Sequence, residues 1–359
     1  MMLGDQKERR VQEQTGPYVH KLILPSSLPR KAKSSILKIH HNGNTFDSQQ
    51  GIKPVAVDYF SELYDSPSER KPQLNPLGFK CLSKESSEWL EQEITTEEVK
   101  HSVWGCDGSK NPGLDGFNFK FYRLAWDFIA QDILDIVLSF FKIGRLPKGI
   151  NTTYVTLLPK TVDPTKFKDF RLISMIHGIY KIIAKILMSR LKIVMQDIIS
   201  INQSMFIAYC NIIDGFMIAN KLMSNLKKRK AVGLIFKIDF HKAFDSISWD
   251  YLDDIMGYMR FGRKWRNMIY ECLSSSKLSV LINGSPSKEF YVWRGLRQGD
   301  PISPFLFDIV VEGLSALTVL FQKAYSGNIS KGLQFALGIC LSHLQYVEDT
   351  LIFIPTDID

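Results

Sequence analysis

A chain of 359 residues, 45% hydrophobic and 23% charged, has the composition of an ordinary soluble globular protein with room for two or three domains. Its net charge of +8 favours a polyanionic partner, nucleic acid or a membrane surface, without choosing between them. The five cysteines are scattered, with no CxxC pair and no zinc-type Cys/His spacing; they read as reduced thiols in an intracellular protein, nuclear or cytoplasmic.

The opening residues, MMLGDQKERR, contain no apolar run and so no secretory signal. Asn42 to Asn44, "NGN", reads as a turn. Between Ile52 and Tyr64 the spacing of Val55, Tyr59, Phe60 and Leu63 predicts one face of a helix. Three prolines between Ser66 and Gly78 mark a linker. Thr95 followed by Glu98 has the form of a capping box that starts a helix. A Gly/Pro/Asp-rich loop, Gly108 to Phe117, precedes helices over Lys120 to Lys142, and Thr153 to Lys160 alternates like a strand.

A long amphipathic helix follows. Ile179, Ile183, Leu187, Leu191 and Met195 form its apolar face, and Lys181, Lys185, Arg190 and Lys192 its polar complement. The basic face is either solvated or in contact with phosphate. "NLKKRK", Asn225 to Lys230, is a basic break, either a solvated loop or a nuclear-import signal. "KLSVLING" and "KEFYVW" are strand-like runs joined through "GSPS" as a hairpin. Asp308 and Glu312 interrupt the most apolar helix, which falls short of a membrane span.

Three stretches carry chemistry. In "FKIDFHKAFDSISW" an apolar strand runs into Asp239, so a rigid element holds that carboxylate; Lys242 and Asp245 could form a local salt bridge. "RGLRQGDPISPFLF" combines Gly295 and Gly299, which let backbone approach a ligand, with Ser303 and Pro304 as N-cap and first residue of a helix. "LQYVEDTLIFI" pairs as two strands with Val347, Glu348 and Asp349 at the turn. An isolated acidic pair there would be a solvated turn. Nucleotidyl transfer, however, needs carboxylates from separate strands converging on two Mg²⁺ ions, and Asp239 with Glu348 and Asp349 could supply them.

In this order, "SKNPGLDGF", "LLPK", "FRLIS", "YKIIAKILMSRL", "DFHKAFD", "RGLRQGDPISP" and "LQYVEDTLIF" resemble the reverse transcriptase of non-LTR (LINE-type) retrotransposons, in a plant-like variant. The resemblance covers roughly Ser34 to the end. It implies an α+β right-hand polymerase: fingers and a partial palm, with a ferredoxin-like βαβ sheet and a catalytic hairpin. Residues 1–88 would be an N-terminal extension and linker, 89–230 fingers and fingers–palm helices, and 231–359 an incomplete palm. Asp239, Glu348 and Asp349 would be catalytic metal ligands for two Mg²⁺, or Mn²⁺. Phe244 would pack beneath the sugar and discourage ribonucleotides. Gln298 and Gly299 would meet the incoming nucleotide and template, and Lys160 and Arg171 the triphosphate. The implied partners are an RNA template, a DNA primer and deoxynucleoside triphosphates, with no membrane.

The sequence also departs from that family. The hairpin should read Tyr/Phe-Ala-Asp-Asp, and here Val347 and Glu348 replace Ala and the first Asp. Leu172 stands where Pro is usual, and Ala208, Tyr209 and Cys210 replace a Lys-Gly-Arg. The chain stops shortly after the hairpin, so a thumb and an endonuclease domain are expected to be absent. The reading is thus an impaired RNA-directed DNA polymerase. Its rivals are a catalytically inactive nucleic-acid-binding remnant and a fragment without a stable fold.

Overall fold

The computed structural model describes residues 35–66, 79–199, 220, 224, 233–239, 242–314, 333–334, 340–341, 343–346 and 349–355. The basic break at 225–230, the Ala208–Cys210 substitution and nearly all of the proline-rich linker lie outside them, as do Val347 and Glu348.

The described chain opens with a hairpin, β1 (Ile39–His41) and β2 (Asn44–Phe46), turned by Asn42 and Gly43, both at positive φ. Ser48 caps helix α1 (Gln49–Leu63), its side chain accepting from the Gly51 N–H. Ile52, Ala56 and Phe60 form the buried face; Val55, Tyr59 and Leu63 flank it. Helices α2 (Lys84–Leu90) and α3 (Thr96–Trp104) follow. The capping box at the start of α3 is present in full, with Thr95 and Glu98 each bonding the other's backbone N–H. Helices α4 (Phe119–Leu124) and α5 (Trp126–Ile143) come next; α5 ends at Gly144 in the left-handed conformation.

A mixed sheet forms the next layer. Strand β3 (Thr152–Pro159) runs antiparallel to β4 (Phe170–Met175), and a 3₁₀ turn, Phe167–Asp169, leads into β4. On its other side β3 pairs in parallel with β6 (Lys277–Ile282). The strands β7 (Ser285–Pro286) and β8 (Phe290–Tyr291) both fold back onto β6. The turn lies at Asn283-Gly284, both with positive φ, and not across "GSPS" as the sequence suggested. Asn-Gly is the better two-residue turn because both positions tolerate φ > 0.

Helix α6 (Gly178–Ile198) is buried well beyond its predicted stripe, with Tyr180, Ile182, Ile186 and Val194 also inside. Arg190 is correspondingly no part of a solvated or phosphate-binding face: its side chain is buried and held by protein acceptors. Strand β5 (Gly233–Asp239) joins a second, three-stranded sheet described below. After it come helices α7 (Ala243–Ser246), α8 (Trp249–Tyr258), α9 (Arg263–Ser274) and α10 (Ser303–Leu314).

Helix α10 begins at Ser303 itself, so its cap is Ile302, one residue before the expected one. The N–H groups of Phe305 and Leu306 bond to the Ile302 carbonyl, and the Asp300 carboxylate accepts from the Ile302 N–H. The Ser303 hydroxyl is buried without a hydrogen-bond partner, so it does not cap. Among the described residues one hydrophobic core runs from Ile36 and Ile39 to Val310 and Val311. The described residues 35–66 contribute to it: α1 packs on β6 and β8. No helix among the described residues is long and apolar enough to cross a membrane.

Candidate functional site

Strand register sets two of the three predicted acids, Asp239 and Asp349, at opposed positions. Strands β9 (His343–Tyr346) and β10 (Asp349–Pro355) form an antiparallel hairpin, and β10 pairs antiparallel with β5. Asp349 lies opposite Tyr346 within the hairpin, so it is the first residue of its strand, not part of the turn as expected. On its other side Asp349 lies directly opposite Asp239. Directly opposed antiparallel residues have Cα atoms about 4.5–5.5 Å apart. Two positions distant in sequence thus meet at one end of the three-stranded sheet. Carboxylate oxygen is the kind of donor Mg²⁺ takes, and both opposed positions carry a carboxylate. Among the described residues no three metal-ligating side chains cluster, and Glu348 is not among them.

After β5 the backbone turns through Lys242, at φ +53°, into the four residues of α7. Phe244 lies flat on Phe307 of α10, with ring centroids 4.4 Å apart and planes 3° from parallel. Its carbonyl accepts from the Leu296 N–H. The expected Lys242–Asp245 salt bridge is replaced. Asp245 accepts from the Tyr64 hydroxyl at 2.7 Å, while the Lys242 ammonium sits 5.8 Å over the Tyr59 ring. Burial raises the Asp245 carboxyl above its usual range, against the Tyr64 hydrogen bond and the charges of Lys242 and Lys160. Tyr64 is raised well above 10, chiefly by burial, with Asp245 adding to it.

The loop from Arg294 to Asp300 hangs between two buried anchors. Arg297 is 8% exposed and Asp300 3%, and they pair at 2.9 Å. Arg297 also donates to Asn151 Oδ1, Thr153 Oγ1 and the Cys272 carbonyl, and its guanidinium lies over the Tyr180 ring. The Tyr180 hydroxyl in turn donates to Asp300. This satisfied network holds both ends of a two-residue step, so Gln298 and Gly299 are presented to solvent. The Gln298 carbonyl accepts from the Ser174 N–H, fixing the step to β4. Gly299 has φ +105°, a backbone conformation that strains any side chain, and a Cβ there would also crowd the Ser174 carbonyl at 3.2 Å.

Lys160 and Arg171 are exposed on the hairpin of β3 and β4. Arg171 lies opposite Leu158, and the Lys160 N–H bonds to the Asp169 carbonyl. A small cleft opens beside this hairpin, lined by Tyr64, Ser174, Asp245, Arg294 and Gln298 among others. The structure therefore joins Asp239 to Asp349 through one sheet, and joins Gln298 and Gly299 to the strand carrying Arg171. Sequence reading missed Tyr64, Tyr180, Arg297, Asp300 and Phe307. The Arg/Asp pair three residues apart in "RQGD" was a usable signal; Tyr64 gave none.

Residues 158–359 match the family model described as reverse transcriptase (RNA-dependent DNA polymerase). An uncharacterized 149 kDa protein of transposon TX1 from Xenopus laevis is 29% identical over 279 residues, which is 77% of this chain and 20% of that protein. A retrovirus-related Pol polyprotein from the type-2 retrotransposable element R2DM of Drosophila melanogaster is 27% identical over 288 residues, 79% of this chain and 26% of that one. The chain thus spans about a fifth to a quarter of these relatives' length. Among solved structures, apo telomerase from Candida tropicalis, truncated from the C-terminal domain, has a TM-score of 0.38 and 13% identity, covering 67% of this chain and 50% of that one.

Proposed function

Because the chain belongs to the reverse transcriptase (RNA-dependent DNA polymerase) family and has non-LTR retrotransposon proteins as relatives, we propose that it acts on a DNA primer paired with an RNA template, adding deoxynucleotides to the primer 3′-OH. The observation that carries this reading is the register that sets Asp239 against Asp349. These two carboxylates, with Glu348, would hold Mg²⁺, which when bound offsets the negative charge of the triphosphate and makes the primer hydroxyl more acidic. Arg171 binds phosphate oxygens through its planar fork, and Lys160 does so as a point charge. Phe244, backed by Phe307, excludes a 2′-hydroxyl. Gln298 and Gly299 offer an amide and bare backbone to the template and incoming base. The plant-type variant belongs to the same proposal.

Glu348 lowers the rate in this reading. Its carboxylate sits one methylene further from the backbone than the family's aspartate, and a misplacement of about 1 Å costs on the order of 10²-fold. The test is single-nucleotide extension of oligo(dT) on poly(rA) with Mg²⁺ or Mn²⁺. Incorporation lost in Asp239→Ala and raised in Glu348→Asp is expected. No incorporation by folded wild type or by Glu348→Asp sinks the polymerase reading. A non-catalytic nucleic-acid-binding role, favoured by Glu348 and the +8 charge, is then what stands.

A further inference from the structure

The end of α1 lies outside the residues that match the family model, yet it is fastened to two stretches of the proposed site. A helix C-terminus leaves its last carbonyls without intrahelical partners. Here the Leu63 carbonyl accepts from Arg294 Nε and the Tyr64 carbonyl from the Trp293 N–H, each at 2.9 Å. The Tyr64 side chain, 7% exposed, then donates its hydroxyl to Asp245 at 2.7 Å. Gly295, at φ +86°, seals the joint: a Cβ there would come within 2.7 Å of the Asp245 carbonyl and 3.1 Å of a Tyr64 ring carbon.

What these bonds hold is the shortest helix of the site. Helix α7 has four residues, and its turn closes through the Asp245 and Ser246 N–H groups, both bonding to the Lys242 carbonyl. A single turn does not hold its own position. Three outside contacts do so: the Phe244 ring on Phe307, the Phe244 carbonyl with the Leu296 N–H, and Asp245 with Tyr64. The last is a hydrogen bond to a half-buried carboxylate, the stronger kind.

We propose that Tyr64 is a positioning residue for Phe244, so that the N-terminal helix α1 takes part in selecting the sugar of the incoming nucleotide. This rests on the reading of Phe244 as the residue that excludes a 2′-hydroxyl. Tyr64 acts through Asp245, the next residue in the chain after Phe244. Without the hydroxyl, α7 gains freedom and Phe244 no longer stands firmly against the ribose.

The test reads binding and not turnover, so slow chemistry does not obscure it. The full chain is mixed with an RNA template and a dideoxy-terminated DNA primer, then titrated with dGTP or GTP opposite template cytosine. The quantity measured is the ratio of the two dissociation constants, with thermal unfolding run on each variant. Phe244→Ala should bring the ratio toward one. Tyr64→Phe, which removes one oxygen, should lower it about 3- to 10-fold, and should change nothing further when added to Phe244→Ala. A merely structural role for Tyr64 would weaken both nucleotides alike and leave the ratio intact, which overturns the proposal. A ratio unmoved by Tyr64→Phe but lowered by Phe244→Ala overturns the proposal and leaves the Phe244 reading standing. A ratio unmoved by either variant overturns both. Folded wild type that binds neither nucleotide overturns the polymerase reading and this proposal with it.

Discussion

Asp308 shows how one side chain can set the pH response of the whole chain. It is 1% exposed on α10, one turn before Glu312, which is 8% exposed. Burial, with the nearby Glu312 charge second, pushes the Asp308 carboxyl up to about 8, against an ordinary value of 3.8. The folded state therefore binds a proton that the unfolded state releases from about pH 4 upward. By linkage, that contribution is complete below the unfolded value and is lost as pH rises through about 8. Asp308→Asn keeps the shape of the neutral acid and removes the titration. Its melting temperature should match wild type near pH 4 and exceed it by at least about 2–4 °C at pH 8. Equal offsets at both pH values, measured by calorimetry, would show that Asp308 is not the group responsible.

At the scale of elements, Arg190 joins α6 to the segment between α2 and α3. Its Nε and Nη2 donate to the two Glu98 oxygens, and the remaining donors reach the Leu90, Gln92 and Glu93 carbonyls. All five guanidinium N–H groups are thus used. Arg190→Met should lower stability by about 2–4 kcal/mol, since it strips those carbonyls and Glu98 of their partner. Arg190→Lys should recover only part, because an ammonium lacks the fork. Chemical denaturation would measure both, and an unchanged midpoint in Arg190→Met would contradict the clamp. Residues like this were the least legible in the sequence. The helix itself could be read from its period, but a stripe of Ile179, Ile183 and Leu187 does not reveal that the opposite face is covered too. Local signals were read well: the Thr95–Glu98 box, the alternation of β3 and the apolar run ending at Asp239 all lie within a few residues. The Asn283-Gly284 turn is local as well, one residue ahead of the expected Gly284–Ser287. Tyr64 with Asp245 and Arg297 with Asn151 pair across long stretches of chain, where periodicity carries no information.

For the molecule as a whole, the net charge of +8 carries an expectation about salt. Phosphate contacts release condensed counterions, so affinity for nucleic acid falls steeply with salt. Lys160 and Arg171 are exposed on one hairpin beside the cleft, and their side chains are available for such contacts. Binding of an RNA–DNA template–primer should therefore weaken by on the order of 10- to 10³-fold between 50 and 200 mM salt. Lys160→Ala and Arg171→Ala should each flatten the slope of log affinity against log salt by about one contact. That slope separates a charge that touches phosphate from one that merely adds to the long-range field, because the latter changes affinity without removing a counterion. Fluorescence anisotropy across a salt series would measure it. Full affinity at 200 mM salt would mean that uncharged contacts dominate. No binding at low salt, from protein that unfolds cooperatively, would remove nucleic acid as the partner that the positive charge serves.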